Sequence, residues 1–241
     1  MSRKRENSIF RFKQFYVSHS RSTMKVGTDG VLIGAWADVT DAQRVLDVGC
    51  GCGLIAMMVA QRAPHTIIDA IDIDSESIDE ARANFAASPW ADRIRAAIAD
   101  FNTYNGGPYD LIVANPPFFN NSLLPPNEAR RHARHTDTLS LHDLVTHAAR
   151  LMTPTARLSL ITPPDALDEI LFAAALAGLS LTRQCLVIPV EGAEPKRVLT
   201  ELRPHNAATG CQHTTLTLDT DTVPRRRTPQ YAALTADFYI R

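Results

Sequence analysis

The chain is poor in cysteine: Cys50, Cys52, Cys185 and Cys211 are the four it has, and no two form a C-x-x-C pair. That spacing supports neither a metal knuckle nor a disulfide framework, so reduced structural thiols and no bound metal are expected. No apolar run approaches the length of a membrane span, and the mixed start Met1-Ser2-Arg3-Lys4-Arg5-Glu6 has no signal-peptide core. A cytoplasmic protein without membrane contact is the expectation. Internal repeats and low-complexity tracts are also missing. Net charge is only −1, which excludes a generically basic nucleic-acid binder.

What the sequence does have is length and apolar content for a full core. With 241 residues, 45% of them hydrophobic, one domain over residues 1–241 is expected. Residues 1–40 are read as an N-terminal extension over the ligand side and residues 41–241 as the core. Strand-like runs at Arg44–Val48, Thr66–Asp72, Arg93–Ala99, Tyr109–Ala114 and Arg157–Thr162 alternate with helical patterns. Among the helices are Ser75–Ser88, one capped by Ser140 with Asp143 three residues on, and Asp165–Ala177 ended by Gly178. Leu181–Val190 and Val198–Leu202 follow without a helix between them, so they should pair antiparallel. The fold predicted is α/β: a doubly wound, mostly parallel seven-stranded sheet with helices on both faces and a C-terminal antiparallel pair.

Charge is unevenly spread along this chain. Residues 1–28 carry Arg3, Lys4, Arg5, Arg11, Lys13, Arg21 and Lys25 against Glu6 alone, a local charge of +6, which leaves −7 for the rest. A basic arm of that kind suits phosphates. Arg130, Arg131, Arg134 and His135 form a second basic group in a long polar segment.

Two motifs carry chemistry. Asp47-Val48-Gly49-Cys50-Gly51-Cys52-Gly53 joins an apolar strand to a helix start. Its glycines allow positive φ and close backbone approach, but the spacing is G-x-G-x-G, not that of dinucleotide binders. A carboxylate ahead of the glycines repels a pyrophosphate and suits a cation. S-adenosylmethionine, with ammonium and sulfonium charges and no phosphate, meets that requirement. Asp72 ends the next strand, where an acid suits a ribose diol, and Ile73 beside it is placed to pack on adenine. Asp100 follows the third strand, as an acceptor for the adenine amino group. The second motif is Asn115-Pro116-Pro117-Phe118, directly after Leu111-Ile112-Val113-Ala114. The Asn115 amide oxygen and the Pro116 carbonyl are two acceptors for a planar –NH2 group, and Phe118 is a ring to stack beside it. Proline contributes no N–H, so this turn presents acceptors.

From Asp47 to Phe118 the chain resembles class I S-adenosylmethionine-dependent methyltransferases with an Asn-Pro-Pro-aromatic motif. That tetrad occurs in enzymes acting on adenine N6, cytosine N4 and the glutamine amide of release factors, so it specifies a planar amine or amide without choosing among them. Phe12-Lys13-Gln14-Phe15, the run Met24 to Trp36, Arg134-His135, Pro195-Lys196-Arg197, Thr228-Pro229-Gln230-Tyr231 and Asp237-Phe238-Tyr239 extend the likeness. Together they are similar to the bacterial tRNA1(Val) (adenine(37)-N6)-methyltransferase family over nearly the whole chain; the basic run Arg225-Arg226-Arg227 departs from it. The resemblance implies S-adenosylmethionine held by Asp47, Gly49, Gly51, Gly53, Asp72, Ile73, Asp100 and Thr28. It implies chemistry at Asn115, Pro116 and Phe118. RNA contacts fall to Arg130, Arg131, Arg134, His135, Lys196 and Arg197, with a tRNA anticodon loop as partner and no oligomer required. Glutamine-amide methylation of a release factor and a non-catalytic RNA-binding module with a relic cofactor site are the alternatives. A DNA adenine methyltransferase is disfavoured, because no separate sequence-reading domain is visible.

Overall fold

The computed structural model describes residues 9–22, 24–117, 139–221 and 226–240. In chain order its elements are β1 (Ile9–Arg11), β2 (Tyr16–Ser18), α1 (Thr28–Trp36), β3 (Arg44–Val48), α2 (Leu54–Arg62), β4 (Ile67–Asp72), α3 (Ser75–Ala86), β5 (Ile94–Ile98), β6 (Tyr109–Ala114), α4 (Leu141–Leu151), β7 (Met152–Thr162), α5 (Leu167–Leu176), β8 (Leu179–Val190), β9 (Arg197–Pro204), β10 (Gln212–Asp219) and α6 (Pro229–Leu234).

Strands β3 and β6 are almost unbroken apolar runs because a parallel sheet covered on both faces buries every side chain. Successive residues point to opposite faces. Val45, Leu111 and Val113 therefore join the core under α1, α2 and α3, while Leu46, Ile112 and Ala114 join the core under α4 and α5. Two helices begin at capping side chains. Asp74 accepts the Ser77 N–H at 2.9 Å at the head of α3, and Ser140 Oγ accepts the Asp143 N–H at 3.0 Å at the head of α4.

The main sheet has the order β10-β8-β9-β7-β6-β3-β4-β5. β5, β4, β3, β6 and β7 run parallel to one another; β9 pairs antiparallel with both β7 and β8, and β10 returns parallel to β8. The α/β class, the parallel order and the antiparallel pair are as expected, but the sheet has eight strands, not seven. The added strand is β10, an edge whose first four residues are exposed and whose one buried residue is Leu216. Before the sheet, β1 and β2 form a separate antiparallel hairpin.

The segment after that hairpin is tied to α3. Asn84 accepts the Ser18 N–H at 2.9 Å, and its own amide donates to the Ser18 and Cys52 carbonyls at 2.8 Å each. Glu80, almost wholly buried, accepts backbone N–H bonds from Ser20 at 2.6 Å, Arg21 at 3.1 Å and Ser22 at 2.8 Å. This strap delivers Met24 and Lys25 to the carboxyl ends of the central strands. Among the described residues, no helix is long and apolar enough to cross a membrane, and no group of three His, Cys, Asp or Glu side chains is placed to hold a metal ion.

Candidate active site at the strand tips

Strand order reverses around β3, which has β4 on one side and β6 on the other. Ligands of open α/β sheets bind in the crevice at such a point. Here the crevice is a cavity of about 300 Å³ whose wall includes Gly49, Gly51, Asp72, Ile73, Asp100 and Asn115. With Pro116, seven residues expected from the sequence thus meet in one place, from four different strand ends.

The glycine turn folds over the tip of β4. Gly49 and Cys50 donate to the Ile71 carbonyl at 2.9 and 3.0 Å, and Gly51 N–H donates to Asp72 Oδ2 at 2.9 Å. Asp72 Oδ1 takes the Asp74 N–H at 2.9 Å, which fixes the carboxylate at the cavity wall. Gly49 has φ +69°, and a Cβ built on it would meet nothing within 4 Å, so open space lies over the turn. At Gly53 the reason for glycine differs: φ is +82° and a Cβ would lie 2.3 Å from the Phe85 ring. Gly53 is not on the cavity wall; it begins α2 and lets Phe85 pack beneath it. Ile73 is 59% exposed, a large aliphatic surface left open beside the acids. Asp100 Oδ1 accepts the Asn102 N–H at 2.9 Å, and Phe101 next to it also lines the cavity.

Asp47 is placed differently from the expectation of direct contact with a cation. It is fully buried under the turn, Oδ2 accepts the Ala56 N–H at 3.0 Å, and it is on the wall of none of these cavities. Its side chain points toward α2, so it holds the helix to the strand. Oδ1 has no hydrogen-bond partner among the described residues. Burial pushes the acid up to about 7, with the Asp72 charge adding to the rise and the Ala56 N–H opposing it. Cys50 and Cys52, in the same turn, are buried thiols; burial raises both, Cys52 to about 11. Neither is a ready nucleophile.

Asn115 stands at a junction. It lines the first cavity with Pro116 and Pro117, and also a second one of about 340 Å³ bounded by Lys25, Thr28, Asp29 and the outer side of the glycine turn. Its Oδ1 is buried and has no partner among the described residues. Thr28 lies in that second cavity and not in the first. Lys196 and Arg197 are elsewhere, in a third cleft that shares Thr28 and Asp29 with the second. Phe118, Arg130, Arg131, Arg134 and His135 lie outside the described residues, as do Arg3, Lys4 and Arg5. Sequence reasoning missed Glu80 and Asn84, because two polar residues on a helix read as its solvated face; only their four-residue spacing marks a shared side.

A family model described as "Methyltransferase small domain" matches residues 18–165. A Phocaeicola vulgatus protein named tRNA1(Val) (adenine(37)-N6)-methyltransferase is 44% identical over 235 residues, covering 97% of this chain and 98% of its own. Proteins of the same name from Parabacteroides distasonis and Aeromonas hydrophila are 42% and 43% identical, each with 98% of this chain covered and 99% and 98% of their own. Among solved structures, a predicted O-methyltransferase from Agrobacterium tumefaciens superposes with a TM-score of 0.67 at 22% identity, over 87% of this chain and 96% of that one. That likeness shows the class I methyltransferase fold. Near-full-length identity to several relatives of one name goes further, and the chain belongs to the tRNA1(Val) (adenine(37)-N6)-methyltransferase family.

Proposed function

We propose that this protein methylates N6 of an adenosine in the anticodon loop of a tRNA, adenosine 37 in its relatives' names, with S-adenosylmethionine as donor. The observation that carries the reading is Asn115 Oδ1: a buried acceptor without a partner among the described residues, at the wall between two cavities. A buried polar atom left unsatisfied costs about 1–3 kcal/mol, so its retention calls for a ligand that completes it.

The residues present fit the donor. The first cavity has Asp72, Asp74 and Asp100 on its wall with exposed Ile73 beside them, and neither Lys nor Arg among the described residues. Asp72 suits a ribose diol, Asp100 an adenine amino group, and Ile73 with Phe101 the faces of the ring. The space over Gly49, into the cavity holding Thr28 and Asp29, suits the amino-acid end. Asp47 acts from below, by fixing α2 and the turn against β3. When bound, S-adenosylmethionine supplies a methyl group activated by a sulfonium.

The rest is positioning by this chain. An adenine N6 is a poor nucleophile because its lone pair is delocalised into the ring. Asn115 Oδ1 and the Pro116 carbonyl accept its two hydrogens, which favours a pyramidal nitrogen and aims it at the donor side. We assign Phe118 to stack on the base. No general base is needed next to N6, since the leaving group is already cationic and the proton passes to water after the N–C bond forms. Good alignment alone is worth up to roughly 7–11 kcal/mol. An anticodon-loop base also costs less to extrude than a paired one. A cytoplasmic location belongs to the same reading.

The test is incubation with methyl-labelled donor and total tRNA, followed by nucleoside mass spectrometry and mapping of the modified position. Label in N6-methyladenosine at one loop position supports the proposal. Label in protein alone, as a release-factor enzyme would give, or no transfer together with no donor binding, overturns it.

A further inference from the structure

The molecule has a third cleft that the chemistry above leaves unused. It measures about 490 Å³ and lies between the start of α1, the ends of β8 and β9, and α6. Lys196, Arg197 and Arg227 line it, with Tyr231 and Tyr239 from the C-terminal segment. The Arg227 guanidinium carbon lies 4.1 Å from the Tyr239 ring centroid and 5.5 Å from that of Tyr231. Arg197 Nε is paired with Asp29 Oδ2 at 2.7 Å, so that charge is engaged within the protein. Asp219 is a second acid on the wall. Lys196 and Arg227 are exposed, and the Lys196 ammonium has neither a hydrogen-bond nor an ion-pair partner among the described residues.

Position decides what the cleft is for. It shares Thr28 and Asp29 with the second cavity, and the second shares Asn115 with the first. The three openings form one run, from the acidic donor cavity past Asn115 to a cationic, aromatic end. With the second cavity taken by the donor's amino-acid end, a strand that extrudes one base toward Asn115 can lay its next nucleotide past the shared Thr28–Asp29 edge into the cationic cleft. The volume exceeds what a lone phosphate fills. A ring-backed guanidinium beside a free ammonium is the pairing that nucleotide sites use, the first for a base face and the second for the phosphate.

We propose that this cleft is a second RNA subsite, taking the nucleotide that flanks the target adenosine, with its phosphate on Lys196 and Arg227 and its base against the Arg227–Tyr239 stack. This rests on the RNA-methylation reading and adds where the substrate strand runs. Neither cation touches the donor cavity, so the subsite contributes to RNA affinity and register and not to donor binding.

The experiment uses full-length protein, total tRNA and a synthetic anticodon stem-loop. For wild type, Lys196→Ala, Arg227→Ala, the double variant and Arg227→Lys it measures RNA Kd across salt, donor Kd by calorimetry, and KM and kcat for methyl transfer. The double variant should bind RNA about 10- to 30-fold more weakly, and its log Kd against log salt should lose about one unit of slope, as loss of one phosphate contact predicts. Its KM should rise with kcat and donor Kd near wild type. Arg227→Lys should restore the salt slope but only part of the affinity, because a lysine keeps the charge without the planar face. If wild type methylates tRNA while the double variant matches it in RNA Kd and slope, the subsite is refuted and the methylation reading stands. If wild type transfers methyl to no RNA, both fall.

Discussion

The donor cavity and the basic cleft are built from opposite materials. At the tips of β3 to β6 the wall is backbone turn, aliphatic surface and three carboxylates, with no cation among the described residues. On the far side of α1's first turn, the cleft carries Lys196, Arg197 and Arg227 against Asp29 and Asp219. The first suits a small cation with a ribose; the second suits a polyanionic strand. On the proposed reading the contrast sorts two ligands by sign of charge, with Asn115 on the wall of the acidic cavity and of the one beside it. The parallel half of the sheet supplies the acidic cavity, and the C-terminal strands with α6 supply much of the basic cleft.

That division can be broken or sharpened by substitution. The largest effect is expected at the border: Asn115→Ala should lower kcat by about 10²–10³-fold, an amount typical of losing one preorganised polar contact, with donor affinity nearly unchanged. Equal losses in turnover and calorimetric donor binding would place Asn115 on the donor side alone. Next comes the buried acid. The Asp47 carboxyl sits at about 7 in the folded protein, above its ordinary 3.8. Such a raised acid stabilises the fold below the unfolded value, and that contribution is lost as pH rises through about 7. Asp47→Asn should therefore flatten stability against pH: between about pH 4 and 8 wild type should lose on the order of 3 kcal/mol more than the variant in denaturant melts. Parallel curves would show that Asp47 does not titrate there.

Within the glycine turn the two positions should separate. Gly53→Ala must move the Phe85 ring as well as hold a left-handed backbone, and should cost about 2–3 kcal/mol of stability. Gly49→Ala meets no neighbour and should cost about 1 kcal/mol, while its methyl intrudes on the donor's space. A donor affinity lost at Gly53 and kept at Gly49 would reverse that assignment. Asp72→Ala should weaken donor binding about 10- to 30-fold with RNA affinity unaltered. A matching loss in RNA binding would mean that the two territories are not separate.

Much of this was legible in the sequence because its signals are local. A glycine turn after an apolar strand, acids at strand ends and Asn-Pro-Pro after β6 each announce themselves within a few residues, and the mostly parallel sheet follows from strands alternating with helices. What escaped was of two kinds. Depth is one: Asp47 stands next to the glycines in sequence, but the strand's alternation turns it inward onto the Ala56 N–H. Weak patterning is the other. β10 exposes Gln212 to Thr215, so it lacks an apolar face long enough to read as a strand, and Lys196 gives no hint that Tyr239 from the far end of the chain lies in the same cleft.

The Asn84 amide holds the Ser18 carbonyl and the Cys52 carbonyl at once, and Glu80 gathers three N–H groups just beyond. Anyone shortening the basic N-terminus to curb indiscriminate RNA adhesion therefore has a limit. Cuts that stop before Ile9 take off charge; cuts that pass Ser18 strip a buttress from the cavity proposed for the methyl donor, because Asn84 loses both its bonds to Ser18 and keeps only the one to Cys52. A leaky enzyme from such a shortened chain would be a matter of masonry, not of lost phosphate contacts.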